Sequence, residues 1–307
     1  MIHVESLTKK YGDKVAVDDL TFGVLPGRVT GFLGPNGAGK STTMRMVVGL
    51  DKPTAGTVVV DGQPFSAHPD GLRHVGALLD AAEVQGNRRA RSYLRAAAAT
   101  IGAGETRIRD VLDLVGLTEV ANARIGSYSL GMRQRLGIAV ALLGDPPVVM
   151  LDEPVNGLDP DGVLWIRHLL RALADEGRTV FVSSHLMAEV AQTADHLIVI
   201  GRGQLVADVP TAELLQAGAP SVTVRATDTS ALAGVLTARG AQAERPAAET
   251  LEVRGLTARE IAQAALDAGV LVYELTPRSR SLEEAFMDLT HSAVEFSATT
   301  IEGRSQR

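Results

Sequence analysis

The residues with the clearest chemistry are consecutive: Gly34-Pro35-Asn36-Gly37-Ala38-Gly39-Lys40-Ser41-Thr42. They match G-x-x-x-x-G-K-[ST], a loop whose backbone cradles phosphate groups. The flanks agree with that reading: Arg28 to Leu33 runs apolar like a short buried strand, and Ser41 to Leu50 reads as a helix that stops at Gly49. Glycines let the backbone curl so that successive N–H groups point into one concavity, and the helix N-terminus adds its positive dipole end. Lys40 would reach the β- and γ-phosphates of a nucleotide, while the Ser41 hydroxyl would ligate Mg²⁺. Every lysine precedes residue 53, and arginine supplies all later positive charge. A lysine inside this loop suits the demand there for a compact ammonium.

Two further groups could complete a reaction centre. Val148-Val149-Met150-Leu151-Asp152-Glu153 is an apolar strand ending in two carboxylates. Asp152 is placed to hold Mg²⁺ directly or through water. Glu153, one residue on, is displaced toward the nucleotide and could polarise an attacking water as general base. Strand ends often carry acids that are merely solvated, and it is the preceding phosphate loop that lifts this pair above that reading. Ser129-Leu130-Gly131-Met132-Arg133-Gln134-Arg135 leads into an apolar helix. A serine N-cap followed by glycine gives a second helix start able to hold an anion, or simply a capped helix.

Positioning these groups requires a layered fold. Residues 2–33 alternate as three strands, with turn signals at Tyr11-Gly12-Asp13 and Leu25-Pro26-Gly27. A strand ending at Asp61-Gly62 follows, then a short helix and a strand over 70–80. From about 84 to 145 the texture is helical, with Ile108, Val111, Leu112 and Val115 recurring on one face. After the acidic strand come a helix, a second buried strand (TVFVSSH), a helix over LMAEVAQTA and a hairpin over HLIVIGRGQLV. Continuous apolar strands alternating with helices predict a parallel sheet with helices on both faces, interrupted by the helical insertion. Near 216–220 the pattern restarts as strand–helix–strand–helix–strand, closed by a helix over SLEEAFMDLT. This reads as a small α+β domain of ferredoxin-like type. The expected division is therefore 1–215, then 220–290, then a polar, disordered tail over 291–307.

Composition excludes several classes. A formal net charge of −6 argues against nucleic acid as a partner. Without cysteine there is neither a disulfide nor a thiolate metal site. No apolar run approaches the length of a membrane-spanning helix, and the N-terminus enters a strand pattern with no secretory signal, so any membrane role requires a partner.

From residue 2 to about 215 these motifs, in this order, resemble the nucleotide-binding subunit of an ATP-binding-cassette transporter. Tyr128-Ser129-Leu130-Gly131-Met132 stands where that family has its L-S-G-G-Q signature. It keeps the serine and second glycine, like the variant of drug- and antibiotic-exporter ATPases. The resemblance implies a P-loop NTPase with a RecA-like core, an antiparallel β subdomain and a helical insertion. It implies that Tyr11 stacks on adenine, that His185 contacts the γ-phosphate and orients Glu153, and that Asp159 lies in a loop crossing a dimer interface. Asp159 is also read as the N-cap of the helix starting at Pro160. Asp80 falls where the family usually has glutamine sensing Mg²⁺ and the membrane partner. The resemblance further implies ATP hydrolysis with Mg²⁺ by two copies arranged head to tail, so that Ser129 and Gly131 of one close over the ATP of the other. It implies a separately encoded transmembrane permease at the cytoplasmic face of the cell membrane, docking on residues 84–94 with Arg88, Arg89 and Arg91. The C-terminal domain resembles the accessory domain of ATPases that confer drug resistance. A cytosolic relative acting on ribosomes or DNA is the alternative; those usually carry two cassettes or a long coiled-coil insertion. A P-loop small-molecule kinase is disfavoured by the signature and by Glu153.

Overall fold

The computed structural model describes residues 1–80, 86–186, 190, 192–216 and 221–278. Part of the LMAEVAQTA helix, the SLEEAFMDLT helix and the 291–307 tail lie outside the described residues. The described chain forms two compact units, one holding Met1–Pro210 and the other beginning at Thr211.

The first unit opens with β1 (Ile2–Tyr11), β2 (Lys14–Val24) and β3 (Arg28–Leu33). Helix α1 (Lys40–Val47) and strand β4 (Ala55–Val60) follow, with Gly49 at φ 69° ending the helix. Next come α2 (Gly71–His74), β5 (Val75–Leu78), α3 (Ala90–Thr100), α4 (Glu105–Leu114) and α5 (Leu130–Leu142). The unit closes through β6 (Val148–Asp152), α6 (Pro160–Asp175), β7 (Thr179–Ser184), β8 (His196–Gly201) and β9 (Gln204–Pro210).

Among the described residues these strands make two sheets. One is antiparallel in the order β2-β1-β4; the other runs β5-β6-β7-β3-β8-β9 and is parallel except for its last strand. Strands β6, β7 and β8 are buried along their whole length, as the apolar runs at their centres require of a sheet covered on both faces. One apolar core joins both sheets and α1, with Phe22, Phe32 and Phe181 in mutual contact at centroid distances of 5.6, 6.0 and 5.1 Å. Such tilted aromatic pairs add about 0.5–1.5 kcal/mol each beyond the area they bury. The rigid centre of the sheet therefore sits directly beneath the loop that follows β3. In the insertion, Ile108, Val111 and Leu112 form the buried face of α4, as their spacing predicts.

The second unit runs α7 (Thr211–Gln216), β10 (Ser221–Ala226), α8 (Thr229–Ala238), β11 (Gln242–Ala247), β12 (Thr250–Arg254), α9 (Ala258–Asp267) and β13 (Val272–Arg278). Its antiparallel sheet has the order β11-β12-β10-β13, the ferredoxin-like arrangement. Its own core of Val222, Val224, Leu232, Leu236, Leu251, Val253 and Ile261 is separate from that of the first unit. Strand β11 is an addition to the sequence reading. Gln242 to Ala247 has no apolar alternation, and its exposed edge position tolerates Pro246.

Candidate nucleotide-binding site

The loop after β3 curls because Gly37 and Gly39 adopt φ of 83° and 104°, a region costly for any residue with a Cβ. Close packing adds a second constraint. A Cβ at Gly34 would stand 2.5 Å from the Ile200 carbonyl oxygen, and one at Gly39 would stand 2.6 Å from that of Ala16. The turn therefore rests directly on β8 and β2. Helix α1 begins with no side-chain cap and no acidic residue in its first turn, so its dipole end is uncompensated. This helix start lines a cleft of about 430 Å³ bounded by Tyr11, Lys14, Ala16, Asn36, Gly37, Ala38, Gly39, Lys40, Ser41, Thr42 and Glu153. Pro35 takes part through its carbonyl, which accepts from Lys40 Nζ at 3.3 Å.

Lys40 is only 6% exposed. Its Nζ also donates to the Gly34 carbonyl at 2.6 Å and lies 3.9 Å from Glu153 Oε1. Burial lowers its pKa, and the nearby charges of Glu153 and Asp152 oppose that shift. The ammonium is thus held over the loop by carbonyl dipoles that a phosphate would outcompete.

The acidic pair sits at the carboxyl end of β6, beside the end of β7, where a doubly wound sheet places its ligands. Ser183, in register with Asp152, donates its hydroxyl proton to Asp152 Oδ1. Ser183 Oγ in turn accepts from Glu153 N–H at 3.0 Å, and the Ser183 carbonyl accepts from it at 3.3 Å. Glu153 has φ 49°, a left-handed conformation that costs a non-glycine residue about 1–3 kcal/mol and persists only where neighbours enforce it. His185, just past β7, places Nδ1 2.8 Å from Glu153 Oε2. The Glu153 carboxylate thus spans from the loop lysine to the histidine. No cluster of three or more His, Asp or Glu that could itself hold a metal occurs among the described residues. Ser41 and Asp152 are instead a sparse set of hard oxygen donors, which fits Mg²⁺ when nucleotide oxygens and water complete the shell.

Other predicted residues are placed differently. Tyr11 lines the cleft and is 48% exposed; its hydroxyl donates to Asp51 Oδ2 at 3.0 Å. Partial burial and the Asp51 carboxylate raise its pKa. Asp51 in turn accepts from Arg45 Nε of α1 at 2.9 Å. Ser129 and Gly131 are outside the cleft, at the start of α5. Ser129 Oγ accepts from Met132 N–H at 3.2 Å, and a Cβ at Gly131 would be 2.8 Å from the Gly157 carbonyl. Asp159 caps α6 by accepting from Gly162 N–H at 2.9 Å. Asp80 is not among the residues that line the phosphate cleft either. It lies beyond β5, which two strands separate from β3, and lines another cavity of about 310 Å³ with Leu78, Tyr93 and Gly137. Arg91 pairs with Glu105 at 2.7 Å. Residues 84 and 85 of the anticipated docking segment lie outside the described residues. The sequence reading overlooked Ser183, Gln134 and Asp51; for Ser183 the available signal was a polar residue closing an apolar strand.

A glycine-rich loop between a buried parallel strand and a helix, with acids at a nearby strand end, defines a P-loop nucleotide-binding domain. A family model described as ABC transporter matches residues 17–156, and one described as a domain of unknown function matches 220–283. The bacitracin transport ATP-binding protein of Bacillus licheniformis is 43% identical over 213 residues, 68% of this chain and 70% of that protein. The lantibiotic transport ATP-binding protein of Streptococcus pyogenes is 34% identical over 206 residues, covering 67% and 89%. A solved dimeric ATP-binding cassette in a post-hydrolysis state, bound to ADP and Pi, aligns at TM-score 0.63 with 25% identity, covering 69% of this chain and 99% of its own. The chain belongs to the ATP-binding subunits of ABC transporters and is an ATPase of that family.

Proposed function

We propose that this chain binds ATP with Mg²⁺ in the cleft and hydrolyses it as half of a head-to-tail pair of copies. The pair powers export of a drug, antibiotic or lipid-like substrate through a separately encoded transmembrane permease at the cytoplasmic face of the membrane. Residues 1–215 serve as the ATP-binding domain, with the helical insertion over about 84–145, and 220–290 as an accessory domain. The relatives' roles in bacitracin and lantibiotic transport support the substrate class. No helix among the described residues is long and apolar enough to cross a membrane, in keeping with a separate permease.

The observation that carries the chemistry is the Glu153 carboxylate held between His185 Nδ1 at 2.8 Å and Lys40 Nζ at 3.9 Å. The loop N–H groups from Asn36 to Thr42 and Lys40 grip the β- and γ-phosphates, and Tyr11 stacks on the adenine. Ser41 and Asp152 would hold Mg²⁺, which would neutralise charge on the phosphate oxygens. Glu153 takes a proton from the attacking water, while His185 orients that carboxylate and contacts the γ-phosphate. The Ser129 cap uses a lone pair, so its O–H can donate to the γ-phosphate bound by the second copy. Gly131 lets that helix start come close, and Asp159 brings its loop to the same interface. The cavity beside Asp80 and the segment 84–94 with Arg88, Arg89 and Arg91 receive the permease, and Asp80 links that docking to the Mg²⁺ site at the end of the neighbouring β6.

Glu153→Gln tests the assignment. ATP binding should persist while turnover falls by orders of magnitude; turnover near the wild-type rate would refute it.

A further inference from the structure

Gln134 lies in α5, the helix whose start carries Ser129, and is only 4% exposed. The other buried residues of that helix are Leu136, Gly137, Ile138, Ala139, Ala141 and Leu142, all apolar. A primary amide in such a surface is costly unless its hydrogen bonds are made. Gln134 Nε2 donates to the backbone carbonyl of Glu153 at 3.2 Å. That carbonyl also accepts from Asn156 N–H at 3.2 Å, so the amide is not rescuing an orphaned acceptor. What it adds is position.

Glu153 holds a left-handed backbone at a strand end, a state that lasts only when it is fixed on both sides. Ser183 fixes the N–H side through its hydroxyl and carbonyl oxygens. Gln134 fixes the C=O side. The carboxylate between these two holds is the one aimed between Lys40 and His185. We infer that Gln134 is a positioning residue for Glu153, linking the seating of α5 to the aim of the carboxylate. This rests on the reading of Glu153 as the base. The start of α5 meets the nucleotide of the second copy, so its engagement there bears on the geometry of Glu153 in its own site. Each copy then hydrolyses efficiently only when its own signature is engaged.

The test uses steady-state ATP turnover and ATP binding by the full chain. Gln134→Met keeps the length and volume of the side chain but removes the donor. Its kcat should fall about 10- to 100-fold, as expected for a displaced reacting group, with KM and ATP affinity held within about twofold. In a Glu153→Gln background the same change should cause no further loss. Gln134→Asn keeps the amide on a shorter arm and should give an intermediate kcat. Wild-type kcat in Gln134→Met would overturn the inference, as would parallel losses of ATP affinity and melting temperature, which mark a merely structural role. Should Gln134→Met fail to fold, Gln134→Asn decides by the same split: lowered kcat at unchanged KM supports the inference, and wild-type kcat overturns it. If Glu153→Gln itself turns over normally, the base assignment fails instead.

Discussion

Helices α1 and α5 begin in opposite ways. At α1 the N-cap is Gly39, no side chain caps the first turn and no acid lies in it, while Lys40 waits 2.6 Å from a loop carbonyl. At α5 the serine closes its own helix through Met132 N–H. The first start is electrostatically unfinished within one copy and needs an anion. The second has one of its first-turn N–H groups capped by its own serine, and that serine keeps a hydroxyl proton to donate. Of the two, only the α1 start lines the cleft, and the contrast fits the proposal that the signature gains its use from a second copy.

The comparison can be broken at each end. The largest effect is expected from Lys40→Ala. Removing a charged hydrogen bond worth about 1.5–3 kcal/mol should weaken ATP binding on the order of 10- to 150-fold. Equilibrium binding of a fluorescent ATP analogue measures it, and unchanged affinity would count against the loop reading. Ser129→Ala should lower kcat about tenfold or more while leaving the affinity of a single copy for ATP unchanged. Equal loss in both quantities would erase the distinction between the two helix starts. Asp159→Ala removes the cap of α6 and should cost about 1 kcal/mol. That corresponds to about 2–4 °C in melting temperature for a domain of this size. The smallest effect is expected of Tyr11→Phe, which keeps the stacking face and loses only the exposed hydrogen bond to Asp51. ATP KM should change by less than about threefold, since such a bond contributes about 0.5 kcal/mol.

What could be read from the sequence was whatever rests on local chain chemistry. The phosphate loop, the buried strand with Asp152 and Glu153, and the amphipathic face of α4 each follow from neighbouring residue types. The ferredoxin-like order of the second unit was legible from its strand–helix alternation, although β11 was not. Relations across the sheet were harder to see. Ser183 binds Asp152 and Glu153 because β6 and β7 lie in parallel register, and in the chain it shows only as a polar residue closing an apolar strand. Gln134 looks like one polar residue in a helical stretch until α5 is packed over the end of β6. Asp80 likewise gains its place, just past the edge strand β5 and lining another cavity, only from the strand order.

The central claim is that the cleft is half of a composite site whose other half is the α5 start of a second copy. Molar mass in solution, measured for Glu153→Gln with and without Mg-ATP, tests it most directly. The account predicts a doubling of mass on adding Mg-ATP, abolished when Ser129→Ala is combined with Glu153→Gln. A chain that binds ATP yet keeps the mass of one copy, or that doubles regardless of Ser129, would contradict it.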